Sequence, residues 1–342
     1  MSNLTIEKQL PTTQHAVLIK EFGAPEVMQY QDGVAMPSLA DEQVLIEVAY
    51  AGINPVDYKT RQGKGWGAEA IQNNKFDKNE PAILGFDVAG TVVDSRSDKF
   101  AIGDQVAALS FEGSCYAEYV AVDAKLLAKV PKVPNPVTLK QAGALPCIGQ
   151  TALQFVEFAA IKKGEHVVIN APAGGVGHLA IQLLMDKVDN DDIKVTVICS
   201  PEKYDKLADL IDKDKLAGWI DYTKDAAFPD LQANVLLDLV GDEAGIRALS
   251  VLKPAARVFV LPTIWVDKLK AAGEQKQLTV TGYKAQRSGD DMARVLQLIA
   301  DDKLRLKIQS VYPLSEVVAA HHELQKGDAF GKIVLQVKQK SD

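Results

Sequence analysis

The chain has 342 residues, 47% of them apolar, which is enough for two packed cores. Its net charge of −7 comes without a basic block, which argues against a nucleic-acid partner, and no apolar run reaches membrane-spanning length. Cys115, Cys147 and Cys199 are too few and too scattered for a disulfide framework or a four-cysteine zinc lobe, so reduced thiols are expected.

The opening residues MSNLTIEKQLPTTQ lack the apolar core of a signal peptide, and the cytosol is the expected compartment. The first third then reads as strands, HAVLIKEF, EQVLIEVAYAGI, DVAGTVV, DQVAALS and CYAEYVAV, separated by glycine, proline and acidic turns. A compact, mostly antiparallel β domain follows. Between Thr60 and Pro81 neither helical nor strand period is sustained, so this stretch reads as a long surface loop edging the site. The proline-punctuated LAKVPKVPNPVTLK marks the passage between domains, with a boundary near Asn135, and QTALQFVEFAAI begins helical patterning.

His166 to Leu184, HVVINAPAGGVGHLAIQLL, reads as a buried strand, a glycine turn and an apolar-striped helix. Gly174 and Gly177 follow Ala171 at the spacing AxxGxxG, a dinucleotide fingerprint whose first glycine is replaced by alanine. Backbone N–H groups at a helix start lack internal partners and together carry about half a positive charge, so a pyrophosphate is the expected guest. Strands and helices alternate onward through VTVIC, PEKYDKLADLI, NVLLDLV, RVFVLP and LTVTGY, predicting a doubly wound parallel sheet. After Tyr283 the helix DDMARVLQLIADDK, the segment YPLSEVVAAHHELQKG and the strand KIVLQV have no β-α unit to join and are expected to return to the first domain. The division is therefore 1–135 with 284–342, and 136–283. The tail KQKSD is a polar end.

AGINPVDYKTRQG, GFDVAGTVV, GDQVAAL, AEYVAV, GALPCIGQTAL, APAGGVG, IDYTKD, LLDLVG and GKIVL, in that order over nearly the whole chain, resemble the zinc-independent quinone and enone (alkenal) reductases of the medium-chain dehydrogenase superfamily. The resemblance implies an α/β protein with a GroES-like catalytic domain split across both chain ends, a central Rossmann domain and a cleft between them. It also implies a homodimer. In zinc-bearing relatives the positions matching Asn54, Phe86 and Cys147 are metal ligands; here only the thiol remains, and a catalytic zinc needs three. No metal is expected, and Cys147 reads as a small apolar residue rather than a nucleophile.

The resemblance places the cofactor on Ala173, Gly174, Gly175, Val176 and Gly177 of the turn, on Val240 and Gly241 of LLDLVG, and on Ser200, Lys203 and Tyr222 at the adenosine end. Strand VTVIC is followed by Ser200 where a carboxylate would bind the ribose of NAD, and Lys203 adds a positive charge, so NADPH is the expected cofactor. Without a Lewis acid, the easiest hydride acceptors are quinones and α,β-unsaturated carbonyls, whose negative charge spreads to oxygen. Asn54, Lys59 and Tyr58 are the candidate donors to that oxygen. Asp57 and Asp87 read as structural acceptors. His321 and His322, at i and i+1 on a helix, point to different faces and form no metal site.

One rival reading is a 2-enoyl-thioester reductase, whose relatives carry a proton-donating tyrosine shortly after the glycine matching Gly63, where this chain has Lys64, Gly65 and Trp66. Another is a non-catalytic NADPH-binding redox sensor or structural protein.

Overall fold

The computed structural model describes residues 10–224 and 227–338; the first nine of the opening residues MSNLTIEKQLPTTQ, Asp225 of the IDYTKD phrase and the end of the polar tail lie outside them. In chain order the first lobe contains β1 (Thr13–Ile19), β2 (Gln29–Ala35), β3 (Gln43–Ile53), α1 (Pro55–Arg61), α2 (Gly65–Asn74), β4 (Ala82–Ile83), β5 (Asp87–Ser95), β6 (Gln105–Leu109), β7 (Tyr119–Asp123) and β8 (Ala128–Lys129). β3 is long because its β-branched and aliphatic residues must serve two partners: β5 pairs along most of its length, and β7 along its first half. β2, carrying Gln29, Gln31 and Asp32 on an exposed hairpin arm, has too little apolar alternation to read as a strand and is recruited by pairing with β1.

The stretch expected as a loop between Thr60 and Pro81 is instead mostly helical, holding the end of α1, all of α2 and a 3-10 turn at Phe76–Lys78. The apolar content of α2 is low and it holds Gly65 and Gly67, so local propensity does not announce a helix. Packing decides: a Cβ on Gly67 would overlap Thr60 Oγ1 of α1, so the glycine is what lets the two helices approach.

The second lobe opens through α3 (Leu139–Ala144) and α4 (Pro146–Phe158) and contains β9 (His166–Asn170), α5 (Gly177–Asp191), β10 (Lys194–Ile198), α6 (Pro201–Lys206), β11 (Gly218–Ile220), β12 (Ala233–Asp238), α7 (Asp242–Ala248), β13 (Leu252–Val260), α8 (Val266–Gly273) and β14 (Thr279–Gly282). All six strands are parallel, in the order β11-β10-β9-β12-β13-β14, so the winding direction reverses between β9 and β12. Ligands in such sheets sit outside the carboxyl ends of the strands at that reversal. Near-continuous burial of Val167–Ile169, Val195–Ile198 and Val235–Leu237 reflects helices covering both faces.

The chain then runs through α9 (Gly289–Ala300), β15 (Ile308–Pro313), α10 (Val317–Gln325) and β16 (Lys332–Gln336). β16 pairs antiparallel with the end of β3, Ile333 opposite Ile53, so the C-terminal strand closes the first lobe's main sheet, ordered β15-β16-β3-β5-β6-β8. One apolar cluster fills that lobe around Val17, Ile46, Val88 and Leu335; another joins α4, α5 and α9 to the parallel sheet through Phe155, Leu179 and Leu296. Burying each such apolar side chain contributes about 1.5–3 kcal/mol. No helix among the described residues is long and apolar enough to cross a membrane.

Candidate functional site

At the end of β9 the chain turns through Ala171, whose φ of +60° is a left-handed conformation that glycine adopts more readily. This is the physical meaning of the missing first glycine: alanine occupies the turn at a strain of roughly 1–2 kcal/mol. The Ala171 carbonyl accepts the Gly174 N–H at 3.3 Å, and a Cβ on Gly177 would overlap that same oxygen and lie 2.9 Å from the Pro172 carbonyl carbon. Among the described residues the N–H groups of Gly175, Val176 and Gly177 have no acceptor. They are the donor set a pyrophosphate requires at a helix start. Ala173, by contrast, is fully buried, with its carbonyl bonded to the Gly331 N–H at 3.1 Å, so it shapes the turn from behind.

Across the sheet reversal, Asp238 ends β12 fully buried and accepts the N–H groups of Val240 and Gly241 and the Asn170 amide at the end of β9. This clamp holds Val240 exposed at 40% and Gly241 at φ +75°, where a Cβ would overlap the Trp265 ring. Sequence reasoning missed Asp238, although an acid closing an apolar strand was a signal.

Ser200 caps α6, its Oγ accepting the Lys203 N–H at 3.5 Å, which leaves its hydroxyl hydrogen to donate. The half-buried Lys203 ammonium has no partner among the described residues, and Tyr222 is 47% exposed with its carbonyl held by Arg247 at 2.9 Å. Two hydroxyls and an unpaired ammonium, with no carboxylate at 200, suit an added phosphate better than bare ribose hydroxyls. The donors present fit NADPH at both ends.

On the first lobe's side, Asn54 starts α1 in a capping box, its N–H donated to Asp57 Oδ2 at 2.6 Å. Asn54 is 1% exposed and does not face open space as expected. Its Nδ2 donates to Asp87 Oδ2 at 2.8 Å, and its Oδ1 accepts from Lys332 Nζ. Lys332, 2% exposed, also meets Asp87 Oδ2 at 3.1 Å and the Ile53 carbonyl at 2.8 Å, while Asp87 Oδ1 takes the Cys147 N–H at 2.8 Å. Burial raises the Asp87 carboxyl, and Lys332, Asn54 and the Cys147 N–H oppose that rise. The starts of α1, β5, α4 and β16 thus meet on one buried carboxylate. A Cβ on Gly52 would sit 2.5 Å from it, so the AGIN glycine is a requirement of this knot. Lys332 was not singled out in the sequence; a lone lysine heading the apolar run IVLQV was the available clue.

Lys59 and Tyr58 are half-buried on α1 and neither side chain has a partner among the described residues. Burial, then the neighbouring Lys64, pulls the Lys59 ammonium below its usual range, and burial raises the Tyr58 phenol. Asp57, fully buried, is pushed up to about 7, first by burial and then by Asp87. Trp66, on α2, packs at a tilt against Phe111, ring centroids 4.6 Å apart, and Phe86, 5.4 Å apart, and Lys284, just past the carboxyl end of β14, lies 5.4 Å over the indole. Aromatic walls from the first lobe therefore face the strand ends of the second.

Burial, then Asp87, pushes the Cys147 thiol up to about 12, so it holds no thiolate at neutral pH. Cys147→Ala is expected to change kcat/KM by less than about threefold, since an unionised thiol is a poor nucleophile; a loss above tenfold at saturating cofactor would assign it a chemical role. Among the described residues no group of three His, Cys, Asp or Glu side chains stands together as a metal site. His321 is buried against Tyr116 and His322 is exposed against Glu26 at 2.7 Å, on different faces as expected.

Residues 40–132 match the alcohol dehydrogenase GroES-like domain model and residues 214–335 the zinc-binding dehydrogenase model. The chain is 31% identical to the 2-methylene-furan-3-one reductase of Solanum lycopersicum, over 95% of this chain and 80% of that one. It is 30% identical to the chloroplastic NADPH-dependent alkenal/one oxidoreductase of Arabidopsis thaliana, over 97% and 82%. The solved quinone oxidoreductase of Coxiella burnetii superposes with a TM-score of 0.83 at 32% identity, over 95% of this chain and all of that one.

Proposed function

The chain belongs to the medium-chain dehydrogenase/reductase superfamily, among its quinone and alkenal oxidoreductases, and from that membership we propose an NADPH-dependent reductase of quinones or of the C=C bond of α,β-unsaturated carbonyls, working without zinc. One observation carries the reading: near full-length likeness to reductases of this class coincides with a phosphate-ready glycine turn at the reversal of a parallel sheet. Bound NADPH supplies the hydride. The Gly174–Gly177 turn holds the pyrophosphate, with Val240 and Gly241 beside it, and Ser200, Lys203 and Tyr222 hold the adenosine phosphate. Lys59, with Tyr58 next to it, offers positive charge or a proton to the acceptor oxygen as negative charge develops there. Asn54 acts through Lys332 and Asp87 and positions α1 rather than touching substrate.

We assign residues 1–135 and 284–342 to the catalytic domain and 136–283 to the cofactor domain; the β16–β3 pairing supports this for the C-terminal strand, while α9 packs on the cofactor domain through Val295 and Leu296. A cytosolic homodimer is part of the proposal. The three unpaired cysteines favour a reducing compartment, and edge strand β14 has no outer partner strand among the described residues.

The test is NADPH oxidation against a panel of quinones, alkenals and crotonyl thioesters. Turnover with quinones or alkenals is expected. Turnover confined to the thioester, or cofactor binding with no substrate-dependent oxidation, refutes the proposal in favour of its rivals. In the same assay Lys59→Ala is expected to lower kcat/KM by at least about tenfold; unchanged kcat and KM would remove Lys59 from the site.

A further inference from the structure

The proposed chemistry uses none of the side chains behind the glycine turn, yet that turn is bolted to the other lobe by two fully or nearly fully buried polar residues of α5. His178 is fully buried. Its Nδ1 lies 3.1 Å from the Gly174 carbonyl, and its Nε2 lies 3.3 Å from the backbone nitrogen of Lys307. A backbone N–H can only donate, so Nε2 accepts, Nδ1 carries the hydrogen, and the ring is one defined neutral tautomer. One turn further, Gln182 donates to the Arg305 carbonyl at 2.9 Å and accepts the Arg305 N–H at 2.7 Å. These two residues read the segment that leads into β15 as a second strand would, through side chains.

The Lys307 carbonyl, in turn, accepts the Lys332 N–H at 2.9 Å, and the Gly331 N–H closes on Ala173 at 3.1 Å. The position is tight, because a Cβ on Gly331, at φ +91°, would overlap the Lys307 oxygen. An unbroken set of hydrogen bonds therefore runs from Gly174 of the phosphate turn through His178 and Lys307 to Lys332, whose ammonium holds Asn54 at the start of α1. The links at Gly174, Lys307 and the Lys332 N–H end on backbone groups, and the last joins two buried side chains, Lys332 Nζ and Asn54 Oδ1, so the turn and the catalytic helix share one reference frame.

We propose that His178 is a positioning residue for the reductase reaction: by bridging Gly174 to Lys307 it fixes the pyrophosphate turn in register with α1, so that cofactor held at one end is aligned at the other. This rests on the NADPH-dependent reading above. A bridge has two halves, and they separate by substitution. His178→Leu removes both; His178→Asn retains a donor where Nδ1 stood but is too short for Lys307; His178→Gln reaches Lys307 but leaves the Gly174 geometry unmatched.

The experiment measures NADPH Kd by fluorescence and kcat and KM with a quinone or enone, well below each variant's unfolding temperature. For His178→Leu, and for His178→Asn if the leucine variant does not fold, NADPH Kd is expected to rise about five- to tenfold as preorganisation is lost, with kcat falling as well. Neither Asn nor Gln is expected to restore both constants. Wild-type Kd and kcat in the folded variants, whatever the change in Tm, overturn the inference, as does full rescue by Asn, which would make His178 a local cap. If the wild-type chain fails to bind or oxidise NADPH, the functional reading itself fails; if it does both and the variants match it, only the role of His178 falls.

Discussion

Asp87→Ala is expected to destabilise the native chain by about 3–5 kcal/mol, because it leaves the Lys332 ammonium buried without its carboxylate. The ammonium would retain only Asn54 Oδ1 and the Ile53 carbonyl, and the Cys147 N–H at the start of α4 would lose its acceptor. Water cannot easily compensate, since Asp87 and Lys332 are 0% and 2% exposed. Lys332→Met leaves the opposite orphan, a buried carboxylate still served by Asn54 and Cys147, and is expected to cost less because that carboxylate is able to take up a proton. Combining Asp87→Ala with Lys332→Met is then expected to be less damaging than the sum of the two, since no unpaired charge remains. Urea unfolding at fixed pH measures all three; a midpoint for Asp87→Ala equal to wild type would mean that the knot contributes nothing. Because the same carboxylate aligns α1 with α4, kcat is expected to fall even where the variant is folded.

That knot joins residues far apart in the chain, beyond what local pattern reports. The parallel sheet and its glycine turn were readable because their signals are local: apolar runs of strand length, a glycine spacing, and a helix stripe directly after it. Even the alanine at 171 was readable as a departure, though not that the backbone would keep the left-handed turn regardless. Asn54, Lys59 and Tyr58 read from the sequence as candidate donors to the acceptor oxygen, but the Asn54 amide is engaged inside the knot. Its actual partners come from residues 87 and 332, and no local pattern reveals which of a buried amide's neighbours will claim it. His178 was missed for the same reason, since the Lys307 N–H it accepts is brought to it by the fold; Asp238 was missed although its Val240 and Gly241 partners are local. The α2 helix was missed because its stability comes from contact with α1 at Gly67, which propensity cannot report.

Ser200→Asp is expected to invert the cofactor preference. In this chain Ser200, two residues past the end of β10, carries a hydroxyl that caps α6, so the substitution keeps an N-cap acceptor and the fold is expected to tolerate it. What changes is charge. Two unit charges about 4 Å apart repel by about 4 kcal/mol at an effective dielectric of 20, and partial exposure of the site screens some of that. A loss in kcat/KM for NADPH on the order of 10²- to 10³-fold follows, appearing mainly in KM, because the adenosine end lies far from the bond being reduced. NADH lacks the phosphate and offers two ribose hydroxyls that a carboxylate accepts well, so its kcat/KM is expected to hold or rise. Lys203→Ala separates the two contributions: it removes attraction without adding repulsion, and its loss is expected to be smaller, specific to NADPH and reduced at high salt. An NADPH KM within twofold of wild type in Ser200→Asp would place the phosphate elsewhere, and the assignment of Ser200, Lys203 and Tyr222 would fall with it.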